Sequence, residues 1–252
     1  MGKYVYDKYE YKLPDCSFSP YGREYLNDLS EKYGLQGLCV GCQSDYEKIL
    51  AITKWVSNLW EHDGANQPEK HDPKFILDEV IHQGKRFRCV EYGVVIQGCL
   101  CALGITARQL ALKTADVETR PAGAGHIAIE AFLRDLDKWM LIDGQWGIIP
   151  KLDDVPLNAV EFADALESGE RLHLETVKAV VYGTEYLDWI RQYLFFLDYT
   201  CWEKDAAGNL TGRTVMLGPA GVEKPQVFQV KWPLSIDKYT HSVNEFYAKP
   251  VV

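Results

Sequence analysis

No part of this 252-residue chain approaches the run of roughly 20 apolar residues that a membrane-spanning helix needs. Positive charge is also scarce: 27 Lys and Arg stand against 36 Asp and Glu, a formal net charge of −9. That deficit argues against the clustered basic surface of a nucleic-acid groove and against an electrostatic hold on anionic lipid. The opening MGKYVYDKYEY lacks the apolar run of a secretory signal. Position 6 is Tyr rather than Ser or Thr, so the myristoylation pattern fails. Read as it stands, the chain is expected to be soluble and cytoplasmic, with no nucleic-acid or membrane partner. Internal repeats, low-complexity segments and a clear inter-domain linker are missing too, so the length suits one well-buried domain with elaborations.

The seven cysteines (Cys16, Cys39, Cys42, Cys89, Cys99, Cys101 and Cys201) are odd in number and scattered. They do not form a disulfide framework and most are expected to pack as small hydrophobes. Cys39-Val-Gly-Cys42 has CxxC spacing, but no second pair or histidine follows at zinc-finger distance. His62, Asp63, His71 and Asp72 lie in a polar loop without fixed ligand spacing. No metal or cofactor is called for.

Ile49, Ile52, Trp55, Val56 and Leu59 recur at helical spacing behind a candidate N-cap, Ser44 or Asp45. A short second helix is predicted around 75–81. The run after Cys89, VEYGVVIQGCLCALGI, is apolar almost all round and ends at Gly104, a good C-terminal stop. Such a helix must be buried on most sides. Residues 107–112 alternate like a strand, and 126–133 and 139–143 read as two strands joined by the turn 134–137. Residues 150–190 read as mixed and mostly helical, with Asp153, Asp154 and Pro156 opening the helical region and His173 in a helix. Residues 192–202 and 214–217 suggest a hairpin, and 226–230 a further strand. Helix followed by strands gives an α+β fold.

Cys89 stands where the buried helix begins, preceded by Lys85, Arg86 and Arg88. Unpaired N–H groups at a helix start, and nearby cations, favour a thiolate. Among the six histidines, only His126 opens an apolar strand, directly after Gly123-Ala-Gly125. With a four-residue loop at 134–137, Leu133 faces Lys138 and His126 falls opposite position 145. Asp143 is then a diagonal neighbour of His126 on the same face of the sheet. Cysteine, histidine and aspartate in these places make a nucleophile, a base and an orienting group.

These words together resemble the transglutaminase-like superfamily, relatives of papain-type thiol enzymes. The resemblance rests on Arg88-Cys89-Val-Glu-Tyr-Gly93, on Gly104-Ile-Thr-Ala-Arg108, on His126-Ile-Ala-Ile-Glu130, and on Trp139-Met-Leu-Ile-Asp143 with Trp146-Gly147 beyond. It implies a papain/transglutaminase-like core in which the helix carrying Cys89 packs on an antiparallel sheet. Residues 1–44 would then be an N-terminal extension, 45–150 the catalytic core, and 151–252 a C-terminal elaboration packed on it. Two positions depart from the family pattern. Phe87 stands where a small residue is usual, and Ala128 where an aromatic is usual; both bear on the acyl pocket.

The implied activity is thiol-dependent acyl chemistry on an amide or ester carbonyl. The acyl group passes to water or to an amine, and the substrate is a peptide, a protein or a small amide or ester. An idle binding or scaffold protein on the same fold is the alternative reading. The Cys89 backbone N–H is one oxyanion donor by position. Gln83 resembles the oxyanion glutamine of papain-like enzymes, and Trp60 the upstream aromatic donor of transglutaminases. At neutral pH, iodoacetamide should label Cys89 faster than the other six cysteines, as read by peptide mass spectrometry. Faster labelling of Cys39 or Cys42 would shift attention to the CxxC pair.

Overall fold

The computed structural model describes residues 3–9, 11, 16–179, 183–204 and 208–250. Five helices come first: α1 (Arg23–Lys32), α2 (Leu35–Leu38), α3 (Asp45–Ser57), α4 (Pro73–Gln83) and α5 (Cys89–Ala102). Local chemistry sets their ends. Ser44 Oγ accepts the Glu47 N–H at 3.2 Å and caps α3. Asp72 accepts the Phe75 N–H at 2.9 Å and caps α4, with Pro73 in the first turn. Gly84, at φ 65°, ends α4 in the left-handed conformation that glycine adopts without strain.

Helix α5 is buried from Glu91 to Leu100, as an all-round apolar sequence requires. Two glycines let it approach its neighbours closely. A Cβ at Gly98 would stand 2.6 Å from Pro73 of α4, and one at Gly93 would stand 2.8 Å from Ile127.

Three strands follow: β1 (Ala107–Lys113), β2 (Gly125–Leu133) and β3 (Lys138–Ile142). After them come β4 (Ile148–Leu152), β5 (Val155–Pro156), α6 (Ala159–Ser168), β6 (His173–Thr176) and α7 (Gly183–Ile190). The remainder is β7 (Phe196–Lys204), β8 (Leu210–Leu217), β9 (Val227–Phe228), β10 (Trp232–Pro233), β11 (Lys238–Thr240) and α8 (Val243–Phe246). The main sheet runs β11-β8-β7-β1-β2-β3. All its pairs are antiparallel except β11 with β8. The fold is therefore α+β, with the Cys89 helix packed on an antiparallel-rich sheet, as expected.

The sheet separates two apolar clusters. On the α5 side lie Ile129, Ala131, Leu133, Met140 and Ile142. On the other side Ala128, Phe132, Trp139 and Leu141 meet α6, together with Tyr4 and Phe18 from the N-terminal segment and Phe246 from α8. The alternation of β2 and β3 produces this division directly.

The segment after β3 departs from its predicted helical character. It contains a second sheet, β5-β4-β6, and His173 lies in a strand. Asp153 and Asp154, read as opening a helix, take φ of 49° and 64° in the turn between β4 and β5. Asp is among the few non-glycine residues that tolerate this region, so the same side chains serve either role. The predicted hairpin is present as β7 and β8, although residues 205–207 lie outside the described set. The strand expected at 226–230 shrinks to the two residues of β9.

Arg108 and Glu130 face each other across β1 and β2, both with fully buried side chains. Arg108 Nε and Nη2 donate to Glu130 Oε2 at 3.0 and 2.7 Å. The Ala159 N–H and the Tyr247 hydroxyl donate to Glu130 Oε1 at 3.1 and 2.7 Å. The Arg108 guanidinium lies 4.2 Å from the Trp139 ring and 4.1 Å from that of Tyr199. Removing one charge strands the other in a dry site. Arg108→Met should therefore lower the unfolding free energy by about 3–5 kcal/mol, measured by urea denaturation. A loss below about 1 kcal/mol, the range of exposed pairs, would show that the pair is dispensable.

Candidate active site

Cys89 is the first residue of α5 and is half-buried. Glu91, two residues on, is fully buried and accepts the Arg88 N–H at 3.1 Å, the reciprocal half of a capping box. The same carboxylate accepts Arg88 Nε and Nη2 at 3.3 and 2.9 Å. His71 Nδ1 lies 3.3 Å from it, and Lys85 pairs with Glu79. Two of the three cations before Cys89 are thus matched by carboxylates rather than held free beside the thiol. Arg88 anchors the start of α5, and Lys85 ties back to α4.

His126, in β2, is buried against its neighbours at 3% exposure, and Asp143, just past β3, is fully buried. His126 Nε2–H donates to Asp143 Oδ2 at 2.8 Å. The β2–β3 register, Leu133 opposite Lys138 and Ile129 opposite Ile142, places both side chains on one face. The Cys89 thiol neighbours the imidazole and adds to the groups that raise its pKa. Because Nε2 serves Asp143, Nδ1 is the nitrogen left for the thiol.

Burial alone would lower the pKa of His126. The charge and hydrogen bond of Asp143, followed by the contact with Cys89, outweigh burial and lift it to about 10. The imidazole is therefore a cation at neutral pH.

Asp143 serves three donors. Besides His126, it accepts the Trp146 backbone N–H on Oδ1 at 3.1 Å and the Tyr186 hydroxyl on Oδ2 at 3.3 Å. Trp189 meets the His126 ring edge-on at 4.8 Å, and Tyr193 lies at 6.0 Å. Tyr186, Trp189 and Tyr193 belong to α7 and the turn after it. Sequence reading missed all three, because nothing in their spacing points to a partner more than 40 residues away. The one available signal was a cluster of aromatics on a short amphipathic segment.

Trp60 is buried and stacked on Tyr92, with ring centroids 4.1 Å apart. Its Nε1–H donates to the Phe87 carbonyl at 3.3 Å. Gln83 ends α4 with an exposed side chain. Phe87 is fully buried and Ala128 is 1% exposed. Three other cysteines are poor nucleophiles: burial pushes the Cys101 thiol up to about 11, and the Cys99 and Cys39 thiols upward as well.

Two cavities adjoin the site. One of about 510 Å³ is lined by Val90 and Ile127, the sequence neighbours of Cys89 and His126, and extends to Gln97, Asp198 and Trp202. The other, about 380 Å³, is lined by Glu61, His62, Trp146 and Lys178. His62 is thereby drawn to the site rather than to a metal cluster, and Asp72 is occupied as a helix cap. Among the described residues no group of three or more His, Cys, Asp or Glu is placed to hold a metal ion. No helix among them is long and apolar enough to cross a membrane.

A thiol at a buried helix start, beside a histidine on an antiparallel sheet, is the framework of a thiol-enzyme fold. Residues 35–144 match the transglutaminase-like superfamily. Cys89, His126 and Asp143 all fall inside the matched segment. No curated protein matches the chain.

Among solved structures, the chain is similar to a proposed cysteine protease from Cytophaga hutchinsonii, at 19% identity over 48% of this chain and 41% of that one, TM-score 0.37. It is similar to the periplasmic domain of TgpA from Pseudomonas aeruginosa, at 17% identity over 54% and 46%, TM-score 0.35. It is also similar to a protein described as a TGase, at 20% identity over 48% and 31%, TM-score 0.32. The chain spans less than half the length of each.

The raised pKa of His126 has a consequence for stability. A group whose folded pKa lies above its unfolded value of 6.5 stabilises the fold fully below pH 6.5, and that contribution is lost as pH rises through about 10. Between pH 6.5 and 10, the urea midpoint of the protein should fall more steeply than that of Asp143→Asn, which lacks the carboxylate that raises the pKa. Parallel slopes would contradict the charge assignment.

Proposed function

We propose that the protein is a cysteine enzyme that forms a thioester at Cys89 from an amide or ester carbonyl. The observation that carries this reading is the buried chain from Asp143 through His126 to Cys89. The Cys89 thiolate attacks the carbonyl carbon, and the carbonyl π electrons move to oxygen. As the tetrahedral intermediate collapses, the His126 imidazolium donates its Nδ1 proton to the departing amine or alkoxide, leaving a thioester and a neutral imidazole. That imidazole then takes a proton from water or from an amine as it attacks the thioester, and the thiolate departs.

Asp143 keeps the Nε2–H tautomer and orientation throughout. The Cys89 backbone N–H is the first oxyanion donor. A second donor from Trp60 requires release of its bond to the Phe87 carbonyl, and one from Gln83 requires an inward turn of its side chain. The substrate class is a peptide or protein acyl donor, the class that the superfamily core favours, with small amides and esters within the same chemistry.

Incubation with a peptide-amide library and an amine probe, followed by intact-mass and peptide mass spectrometry, tests this. Cys89→Ala should abolish both thioester and product while remaining folded by circular dichroism. Asp143→Asn should also remain folded, and should cut the rate by up to about 10⁴-fold. Native protein that reacts with iodoacetamide at Cys89, yet forms no thioester with any acyl donor, would support the idle-scaffold reading instead.

A further inference from the structure

We propose that Tyr186 is a positioning residue for the reaction, holding Asp143 in register with His126 and moderating its pull on the imidazole proton. This rests on the assignment of Cys89, His126 and Asp143 made above. Tyr186 lies on α7, beyond residues 35–144, and is fully buried. Its hydroxyl donates to Asp143 Oδ2, the oxygen that also receives His126 Nε2–H. The ring has little freedom to turn away. Phe162 stacks on it at 6.4 Å with an interplanar angle of 11°, and Trp146 and Trp189 close in at 5.7 and 6.2 Å.

A buried hydroxyl without a partner is costly, and Asp143 is the acceptor within its reach. Burial, and then the neighbouring carboxylate, push the phenol pKa well above its usual value, so Tyr186 stays a neutral donor. Trp146 N–H holds the other carboxylate oxygen. With both oxygens engaged, the carboxylate plane is fixed.

The hydroxyl has an electrical effect as well. By sharing Oδ2 it draws negative charge away from the bond to His126, so the imidazolium releases its proton more readily than it would to an unshared carboxylate. Acylation needs that release. The other titratable groups around the pair are Cys89 and Tyr92 on α5, His62 after α3, Lys178 after β6 and Tyr193 after α7. Of these, Cys89 adds to the groups that raise the His126 pKa, and Tyr186 adds a side-chain donor to Asp143 besides His126.

The test needs no substrate for its main readout. His126 is followed by NMR of its ring carbons across pH 6–11 in the native protein, in Tyr186→Phe, and with 3-fluorotyrosine incorporated at position 186. Tyr186→Phe should move the His126 midpoint up by about 0.5–1 pH unit, the size expected for one shared hydrogen bond. The more acidic fluorinated phenol should move it down. Opposite shifts cannot arise from loosened packing.

On any substrate turned over, Tyr186→Phe should lower kcat about 10-fold and leave KM unchanged, because Tyr186 touches no substrate. An unmoved His126 midpoint in both variants, with kcat within twofold of native, would overturn the proposal and make Tyr186 a packing residue. If His126 shifts as expected but no acyl donor reacts, the positioning role stands and the enzymatic reading is what fails.

Discussion

The register of β1 against β2 governs how the later chain joins the sheet, and the buried pair of Arg108 and Glu130 enforces it. The two residues are direct cross-strand partners. A slip of one residue would send their charged groups to opposite faces of the sheet. Each ion would then be buried without its counter-charge, a state far more costly than the pair itself. His126 faces Asp143 through a separate register, that of β2 with β3.

That pair also explains how the later chain is tied to the core. Glu130 Oε1 accepts the first N–H of α6 and the Tyr247 hydroxyl, while Arg108 donates to the Phe246 carbonyl at 3.2 Å. An anion at a helix start is favoured by the helix dipole, so Glu130 seats α6 as well as balancing Arg108. Phe162 of α6 in turn stacks on Tyr186 of α7. A continuous path of contacts therefore leads from the sheet register to the hydroxyl that meets Asp143.

Much of this was legible in the sequence because it is local. Ser44, Asp72 with Pro73, and Gly84 end helices through side chains or dihedrals of their own. The four-residue turn after Leu133 fixes strand parity, and parity alone relates His126 to Asp143. The small sheet β5-β4-β6 was not legible, because Asp153 and Asp154 carry a signal shared by helix starts and left-handed turns. Nor was the aromatic wall of Trp189, Tyr193 and Tyr186. Its contacts with His126 and Asp143 are made by tertiary packing, which leaves no spacing to read.

The basic run before Cys89 teaches the complementary lesson. Lys85 and Arg88 look in sequence like activators of the thiol, yet each meets a carboxylate, Glu79 and Glu91. A cation so paired exerts little field a few ångströms away. The charge beside Cys89 must come from elsewhere, and His126 supplies it, held protonated by Asp143 against the cost of its own burial. A cation of this kind can give up its proton when the leaving group needs one, which arginine does far less readily. The enclosing rings of Trp189 and Tyr193 keep that charge poorly solvated and therefore effective at short range. In the proposed reaction, activation of the thiol is thereby drawn from a neighbouring cation whose charge changes as the proton moves.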